Sequence, residues 1–148
     1  MSELSGHLDG KIHVFPIRVY YEDTDAGGIV YHANHVRFAE RARTEMMRLL
    51  GVSHSGLLKD TGVAFGVRRL TIDYRASARL DDTLEVHSNI SDIGGATLAM
   101  RQTIRRDGIE LARLEVGLFF MSRDGRPVRM PAPLRATLAP YVARTDLT

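Results

Sequence analysis

Three side chains that could take part in acid–base or nucleophilic chemistry lie close together in residues 20–34, which read YYEDTDAGGIVYHAN. They are the phenol of Tyr21, the carboxylate of Asp25 and the imidazole of His32. A carboxylate can act as a general base or as a nucleophile, and an imidazole can orient water or substrate. The glycines that follow Asp25 allow positive φ and close approach to the backbone. We therefore predict a site in which a reacting group is held against a helix N-terminus.

The elements on either side of this stretch have different hydrophobic periods. Ile17 to Asp23 alternates apolar and polar residues, which predicts a strand with one buried face. After the glycine turn, apolar residues recur at helical spacing, with Asn34 as a predicted N-cap and Gly51 as the stop. Small residues on the apolar face of this helix predict that a sheet packs closely against it.

The rest of the chain is predicted to be mostly strand. A short helix over Ser53 to Thr61 precedes a long strand with a bulge near Arg68-Arg69. Further strands are expected at residues 84–93, 97–106 and 109–121, and a C-terminal helix at residues 134–143. This order predicts an α+β fold with one long helix inside a curved antiparallel sheet. One helix cannot cover both faces of such a sheet, so we expect dimerisation.

Composition narrows the class of protein. The 148 residues suit one domain, predicted at residues 16–145 after a mobile extension at residues 1–15. Cysteine is absent, which excludes disulfides and thiolate chemistry and suits a cytoplasmic location. A formal charge of +2 without a recognised binding motif does not indicate a nucleic-acid partner. No apolar run is long enough for an integral membrane segment, and the polar first residues lack a signal-peptide core.

Residues 20–34 of the chain resemble the hotdog-fold acyl-CoA thioesterases, and so do ERARTEM at residues 40–46 and ARLDD at residues 78–82. More narrowly, they resemble the YbgC-like, Tol–Pal-associated group of the 4-hydroxybenzoyl-CoA thioesterase family. The resemblance covers about residues 17–121. It implies a five- or six-stranded antiparallel sheet wrapped around one long helix. It also implies active sites at the interface of a homodimer or homotetramer, hydrolysis of acyl-CoA, and no cofactor or metal.

The resemblance also implies roles for individual residues. Asp25 matches the catalytic carboxylate of the family, and Tyr21 and His32 match residues that position the reacting groups. Backbone N–H groups between Gly28 and His32 would polarise the thioester carbonyl. The expected substrate-binding residues are three in the turn and two on the following strand: Gly28, Val30, Tyr31, Arg68 and Arg69. The two arginines would hold coenzyme A phosphates.

Other interpretations of the same residues stay open. Asp25 could simply form an Asx-turn in a glycine loop, and Tyr21 could be a core aromatic. His32 and His35 have a spacing seen in zinc sites but lack a third ligand, and His35 is expected at the surface or in an interface. The protein could instead bind acyl thioesters or an acyl carrier protein without hydrolysis, or act as a hydratase or dehydratase.

Overall fold

A computed structural model describes residues 3–144 of the chain. Six strands form one antiparallel sheet, in the spatial order β1-β2-β4-β5-β6-β3. The strands are β1 (His7–Asp9), β2 (Ile12–Arg18), β3 (Ala64–Tyr74), β4 (Thr83–Ile93), β5 (Thr97–Arg106) and β6 (Ile109–Met121). The helices are α1 (Asn34–Leu49), α2 (His54–Thr61) and α3 (Ala132–Leu138), with short 3-10 turns at Glu3–Ser5, Tyr21–Asp23 and Ala139–Tyr141.

The long helix α1 packs against the inner face of the sheet. Its buried apolar residues are Phe38, Ala39, Ala42, Met46 and Met47. Ala39 and Ala42 are fully buried, and their small side chains let the helix approach the sheet, as predicted. On β4 the alternate residues Leu84, Val86, Ser88 and Ile90 are all buried, so one face of this strand lies in the core. The α+β architecture predicted from the sequence is present.

The first strand lies five residues earlier than predicted. The prediction of a strand over Ile17 to Asp23 is wrong, because β2 spans Ile12–Arg18 and Tyr21–Asp23 form a 3-10 turn. The Asp23 carboxylate accepts a hydrogen bond from the Tyr20 N–H at 2.8 Å, and such local bonds compete with a strand ladder. The predicted domain boundary at residue 16 falls inside β2. The mobility of residues 1–15 stays a prediction.

The later elements agree more closely with the sequence pattern. The register of β3 against β6 shifts between Val67 and Arg69, which confirms the predicted bulge. Asp107 and Gly108 have φ of 53° and 79°, as a tight hairpin turn requires. The C-terminal helix α3 is shorter than predicted, since Pro140 lacks the N–H needed to continue it and the chain tightens into a 3-10 turn.

The two edges of the sheet differ in length. β1 has three residues, whereas β3 has eleven and pairs on one side only, with β6. Val67 and Tyr74 on β3 expose 52% and 43% of their surface. A long exposed edge is a surface on which a second chain can add.

None of the helices in residues 3–144 is long and apolar enough to span a membrane.

Candidate active site

Asp25 lies in a tight turn that connects the 3-10 turn to the start of α1. Two backbone hydrogen bonds of Asp25 stabilise the turn. The Asp25 N–H donates to the Ile29 carbonyl at 2.9 Å, and the Asp25 carbonyl accepts from the Gly28 N–H at 3.0 Å. The carboxylate oxygen Oδ1 accepts the Gly27 N–H at 2.8 Å, so the predicted Asx-turn is present. The residue as a whole is exposed. One carboxylate oxygen is therefore fixed by the backbone, and the exposed group is accessible to water or a ligand.

Asp23 holds the two ends of this turn together. Its carbonyl accepts hydrogen bonds from the Tyr31 N–H at 3.0 Å and from the Asn34 side-chain amide at 2.9 Å. The predicted N-cap role of Asn34 is wrong, because Ala33 occupies that position and Asn34 is the first helical residue. Asn34 instead uses its amide to attach the helix to the strand side of the turn. We call residues 20–35 the junction.

Two backbone N–H groups point out of the helix start without an acceptor. The N–H groups of Gly28, Val30 and Tyr31 donate to the carbonyls of Asp25, Ala78 and Asp23. By contrast, the N–H groups of His32 and Ala33 have no hydrogen-bond acceptor within residues 3–144. The first N–H groups of a helix lack intrahelical partners and favour negative charge. Within the predicted range from Gly28 to His32, the N–H groups of Ile29 and His32 thus lack an acceptor in residues 3–144, and the neighbouring Ala33 N–H joins that of His32 at the helix start.

A tyrosine that was not predicted at the site donates a hydrogen bond to the backbone of His32. The Tyr74 hydroxyl, at the end of β3, donates to the His32 carbonyl at 2.8 Å. The His32 ring lies 4.6 Å from the Tyr31 ring and 6.2 Å from the Tyr74 ring, measured between centroids. Desolvation raises the pKa of the Tyr74 phenol, which keeps it protonated as a donor. The one sequence signal for this role is a tyrosine at the last position of a strand.

His35 is buried, which corrects the expectation that it lies at the surface or in an interface. It is 3% exposed, and its ring contacts Tyr74 with 5.3 Å between centroids. Its Nδ1 lies 3.2 Å from the His32 carbonyl, the same oxygen that accepts from Tyr74. Burial lowers the pKa of His35, so the ring is neutral and structural at pH 7. Within residues 3–144 no group of three or more His, Asp or Glu side chains could hold a metal ion.

The other predicted site residues differ in exposure and in their distance from the junction. Tyr21 is 83% exposed, so the interpretation of its ring as a core aromatic is wrong. Val30 is buried, and Tyr31 is exposed. Arg68 and Arg69 lie at the β3 bulge, and Arg68 is six residues, or about 20 Å along a strand, from Tyr74. Within one chain these two arginines are not brought beside the junction.

A sequence profile and several known proteins match this chain. The profile of the Thioesterase-like superfamily covers residues 19–138. The chain belongs to the Thioesterase-like superfamily. Acyl-CoA thioesterase YbgC of Haemophilus influenzae is 43% identical to this thioesterase-like chain over 123 residues, covering 82% of this chain and 90% of that protein. Acyl-CoA thioester hydrolase YbgC of Escherichia coli O6:H1 is 53% identical over 90 residues, covering 61% of this chain and 66% of that protein.

A solved structure shows the same architecture. The probable thioesterase from Bartonella henselae matches with a TM-score of 0.77 at 34% identity, covering 81% of this chain and 99% of that chain. The predicted hotdog fold and the resemblance to YbgC-like thioesterases are confirmed, and the enzyme class is thioester hydrolase. In this thioesterase the roles of Asp25, Tyr21 and His32 stay predictions.

Proposed function

We propose that the protein hydrolyses acyl-CoA thioesters to a free acid and coenzyme A at the junction. The observation that carries this proposal is the position of Asp25, one tight turn before a helix start with two unpaired N–H groups. Relatives with the names acyl-CoA thioesterase and acyl-CoA thioester hydrolase support acyl-CoA as the substrate.

Asp25 serves as the general base or the nucleophile in this proposal. As a base, its carboxylate takes a proton from water while the water oxygen bonds to the thioester carbon, and the carbon–sulfur bond then breaks to release the thiol. As a nucleophile, the carboxylate displaces coenzyme A as a thiolate and forms a mixed anhydride, which water cleaves to the free acid and the original carboxylate. In both routes the carbonyl oxygen becomes negative, and the N–H groups of His32 and Ala33 are the donors for it. Each contribution is worth about 10²–10⁴ in rate.

The remaining predicted residues orient the substrate. The exposed phenol of Tyr21 and the ring of His32 position water and the thioester. Gly28, Val30 and Tyr31 shape the turn that the substrate crosses. Arg68 and Arg69 bind coenzyme A phosphates from the bulge of β3, because guanidinium groups form bidentate bonds to phosphate.

A homodimer or homotetramer completes the site in this proposal. β3 is a long edge strand with one unpaired side. An antiparallel pairing of two β3 strands about a twofold axis at mid-strand sets the Ala64 end of one copy beside the Tyr74 end of the other. Because Arg69 is the middle residue of β3, that arrangement sets the bulge arginines of both copies near the twofold axis, between the two junctions. Light scattering on the purified protein should give the mass of a dimer or tetramer, and a monomer would contradict this part.

The protein is further proposed to act in the cytoplasm, close to the Tol–Pal system. The absence of cysteine suits a reducing compartment, and the resemblance to the YbgC-like group supports the association. An acyl carrier protein is a second possible carrier of the acyl group, because its thioester presents the same carbonyl and sulfur to the junction. Copurification with Tol–Pal components and hydrolysis of acyl carrier protein thioesters are the direct tests.

A panel of acyl-CoAs of increasing chain length, assayed for thiol release, tests the central proposal. We expect release from at least one of them by the native protein and a loss of about 10²–10⁴ in Asp25→Asn. Asparagine keeps an acceptor for the Gly27 N–H, so the turn is preserved while the base is lost. Absence of release from the whole panel would instead favour a protein that binds acyl thioesters without hydrolysis.

A further inference from the structure

A cavity of about 230 Å³ lies between α1 and the sheet, away from the junction along the helix. Six apolar residues line it: Met47, Phe65, Val67, Leu98, Met100 and Leu118. Four polar or charged residues line the rest: Glu40, Arg43 and Thr44 of α1, and His54 of α2. We call it the Arg43 cavity. Val67, which is half-exposed on the edge strand β3, places its mouth at the free edge of the sheet.

Arg43 is a buried cation with most of its hydrogen-bonding capacity unused. It is 8% exposed, and its Nη1 donates to the Gln102 side-chain oxygen at 3.0 Å. A guanidinium has five N–H donors, and within residues 3–144 this is the one hydrogen bond of the Arg43 side chain. Burial lowers the pKa of Arg43, and the charge of Glu40 partly offsets that effect without a direct bond.

Gln102 fixes the direction in which the guanidinium points. Its amide nitrogen donates to the Ala39 carbonyl at 2.8 Å and to the Ser88 hydroxyl at 3.0 Å. Both amide protons are used, so the Gln102 oxygen must face Arg43. The guanidinium is thus held at the wall of a space that six apolar residues line together with Glu40, Thr44 and His54. An alkyl chain that filled this space would cover the remaining donors without pairing them, which is unfavourable.

We propose that the Arg43 cavity binds the far end of an acyl group that carries an oxygen acceptor, either a hydroxyl or a carboxylate, and that Arg43 selects for it. This inference rests on the proposed function, because it takes the acyl part of a thioester as the occupant. At about 30 Å³ for a water-sized group, the cavity volume corresponds to about eight such groups, which is the size of a short acyl chain.

The free edge of β3 explains how the acyl group reaches the cavity. Arg43 is nine residues along α1 from Asn34, about 14 Å in helix rise, so the junction of the same chain is remote from it. In the twofold β3 pairing proposed above, the mouth near Phe65 and Val67 instead lies towards the junction of the second copy. The thioester would sit at that junction while its acyl tail enters this cavity.

Three coenzyme A thioethers, which cannot be hydrolysed, test the proposal by calorimetry: S-hexyl-CoA, S-(6-hydroxyhexyl)-CoA and S-(5-carboxypentyl)-CoA. We expect at least one oxygen-bearing thioether to bind the native protein about tenfold more tightly than S-hexyl-CoA. A hydroxyl preference and a carboxylate preference both support the proposal and identify the acyl class. In Arg43→Met the order should reverse, with S-hexyl-CoA bound most tightly.

The control is Arg41→Met, which removes an exposed arginine from the same helix and should keep the native order. Arg43→Lys keeps the charge without the planar fork, and it should keep part of the preference if Arg43→Met fails to fold. Tightest binding of S-hexyl-CoA by the native protein, an unchanged order in both Arg43 variants, or no binding of any thioether would overturn the inference. Thiol release is measured separately, so discrimination without hydrolysis would contradict the proposed function alone.

Discussion

The junction and the Arg43 cavity lie on the same helix and are built in opposite ways. The junction is held mainly by bonds between residues close in sequence, such as the Asx-turn between Asp25 and Gly27. The polar contacts of the cavity join residues far apart, with a sequence separation of 59 from Arg43 to Gln102 and of 63 from Ala39 to Gln102. Tyr21, Asp25 and His32 of the junction are exposed, whereas Arg43 and Gln102 are buried.

Because the two regions are built differently, substitutions in them should affect different properties of the protein. Local backbone bonds fix most of the geometry of the junction, and Tyr74 is a distant residue that adds one further bond to it. Because buried polar groups depend on every partner being present, the cavity couples ligand preference to the stability of the core. We therefore expect junction variants to change the rate of hydrolysis, and cavity variants to change stability and the choice of acyl group.

The largest effect is expected from removing one of two neighbouring carboxylates. Asp25→Asn should lower kcat/KM by about 10²–10⁴, because the base or nucleophile is lost. Asp23→Asn should change kcat/KM less than about threefold, since the bonds that hold Tyr31 and Asn34 use the Asp23 backbone carbonyl. Steady-state thiol release measures both. Equal losses in the two variants would mean that the junction does not depend on Asp25 for chemistry.

Gln102→Leu should lower the free energy of unfolding by about 1–3 kcal/mol, because it leaves the buried Arg43 guanidinium without its partner. The double variant Arg43→Met with Gln102→Leu should recover most of that loss, since an apolar pair leaves no unpaired charge. Urea unfolding gives both values. A double variant less stable than Gln102→Leu would show that Arg43 stabilises the core by another route.

Stability should fall below about pH 6.5 because His35 is buried and its pKa is lowered. The unfolded chain then binds a proton that the folded chain does not, so the free energy of unfolding decreases by up to about 1.4 kcal/mol per pH unit as the pH falls. His35→Gln should reduce the difference between unfolding free energies at pH 7.5 and pH 5.5. Part of the dependence should remain, since burial also lowers the pKa of His13 and His54.

Tyr74→Phe should lower kcat/KM by about three- to tenfold, because the His32 carbonyl loses a hydrogen-bond donor and the helix start is less well fixed. Tyr141→Phe, in the last 3-10 turn, is the matched control and should be neutral for hydrolysis. Similar kcat/KM values for Tyr74→Phe and the native protein would mean that Tyr74 contributes by packing and that its hydroxyl does not affect hydrolysis.

Two glycine variants give the smallest effects. Gly28 has φ of +78°, so Gly28→Ala should cost about 1 kcal/mol of stability. A Cβ at Gly27 would lie 3.2 Å from the Asp25 Oδ1, so Gly27→Ala should displace the carboxylate and lower activity with little loss of stability. Gly125→Ala, at φ of +82° with open space around it, should match the stability loss of Gly28→Ala without loss of activity. Unfolding and thiol-release assays on all three variants separate strain from displacement.

Most of the fold could be predicted because its patterns are local. The alternation on β4, the bulge in β3 and the turn at Asp107-Gly108 follow from residue types within a few positions. The first strand was misplaced because the bond from Tyr20 to the Asp23 carboxylate replaces strand pairing, and periodicity does not report such a bond. His35 and Tyr74 were missed as a pair, because their contact joins α1 to the end of β3.

The sequence by itself determined the Asp25 turn, the glycines that shape it and the helix that follows, since these depend on bonds between near neighbours. Only the tertiary structure decided that the Val30 N–H is paired, because its acceptor, the Ala78 carbonyl, lies far along the chain. It also decided that Arg43 faces a cavity, since Gln102 and the apolar wall come from strands far along the chain. A hydrophobic pattern reports that a residue is buried, and the packing of distant strands decides what lies beside it.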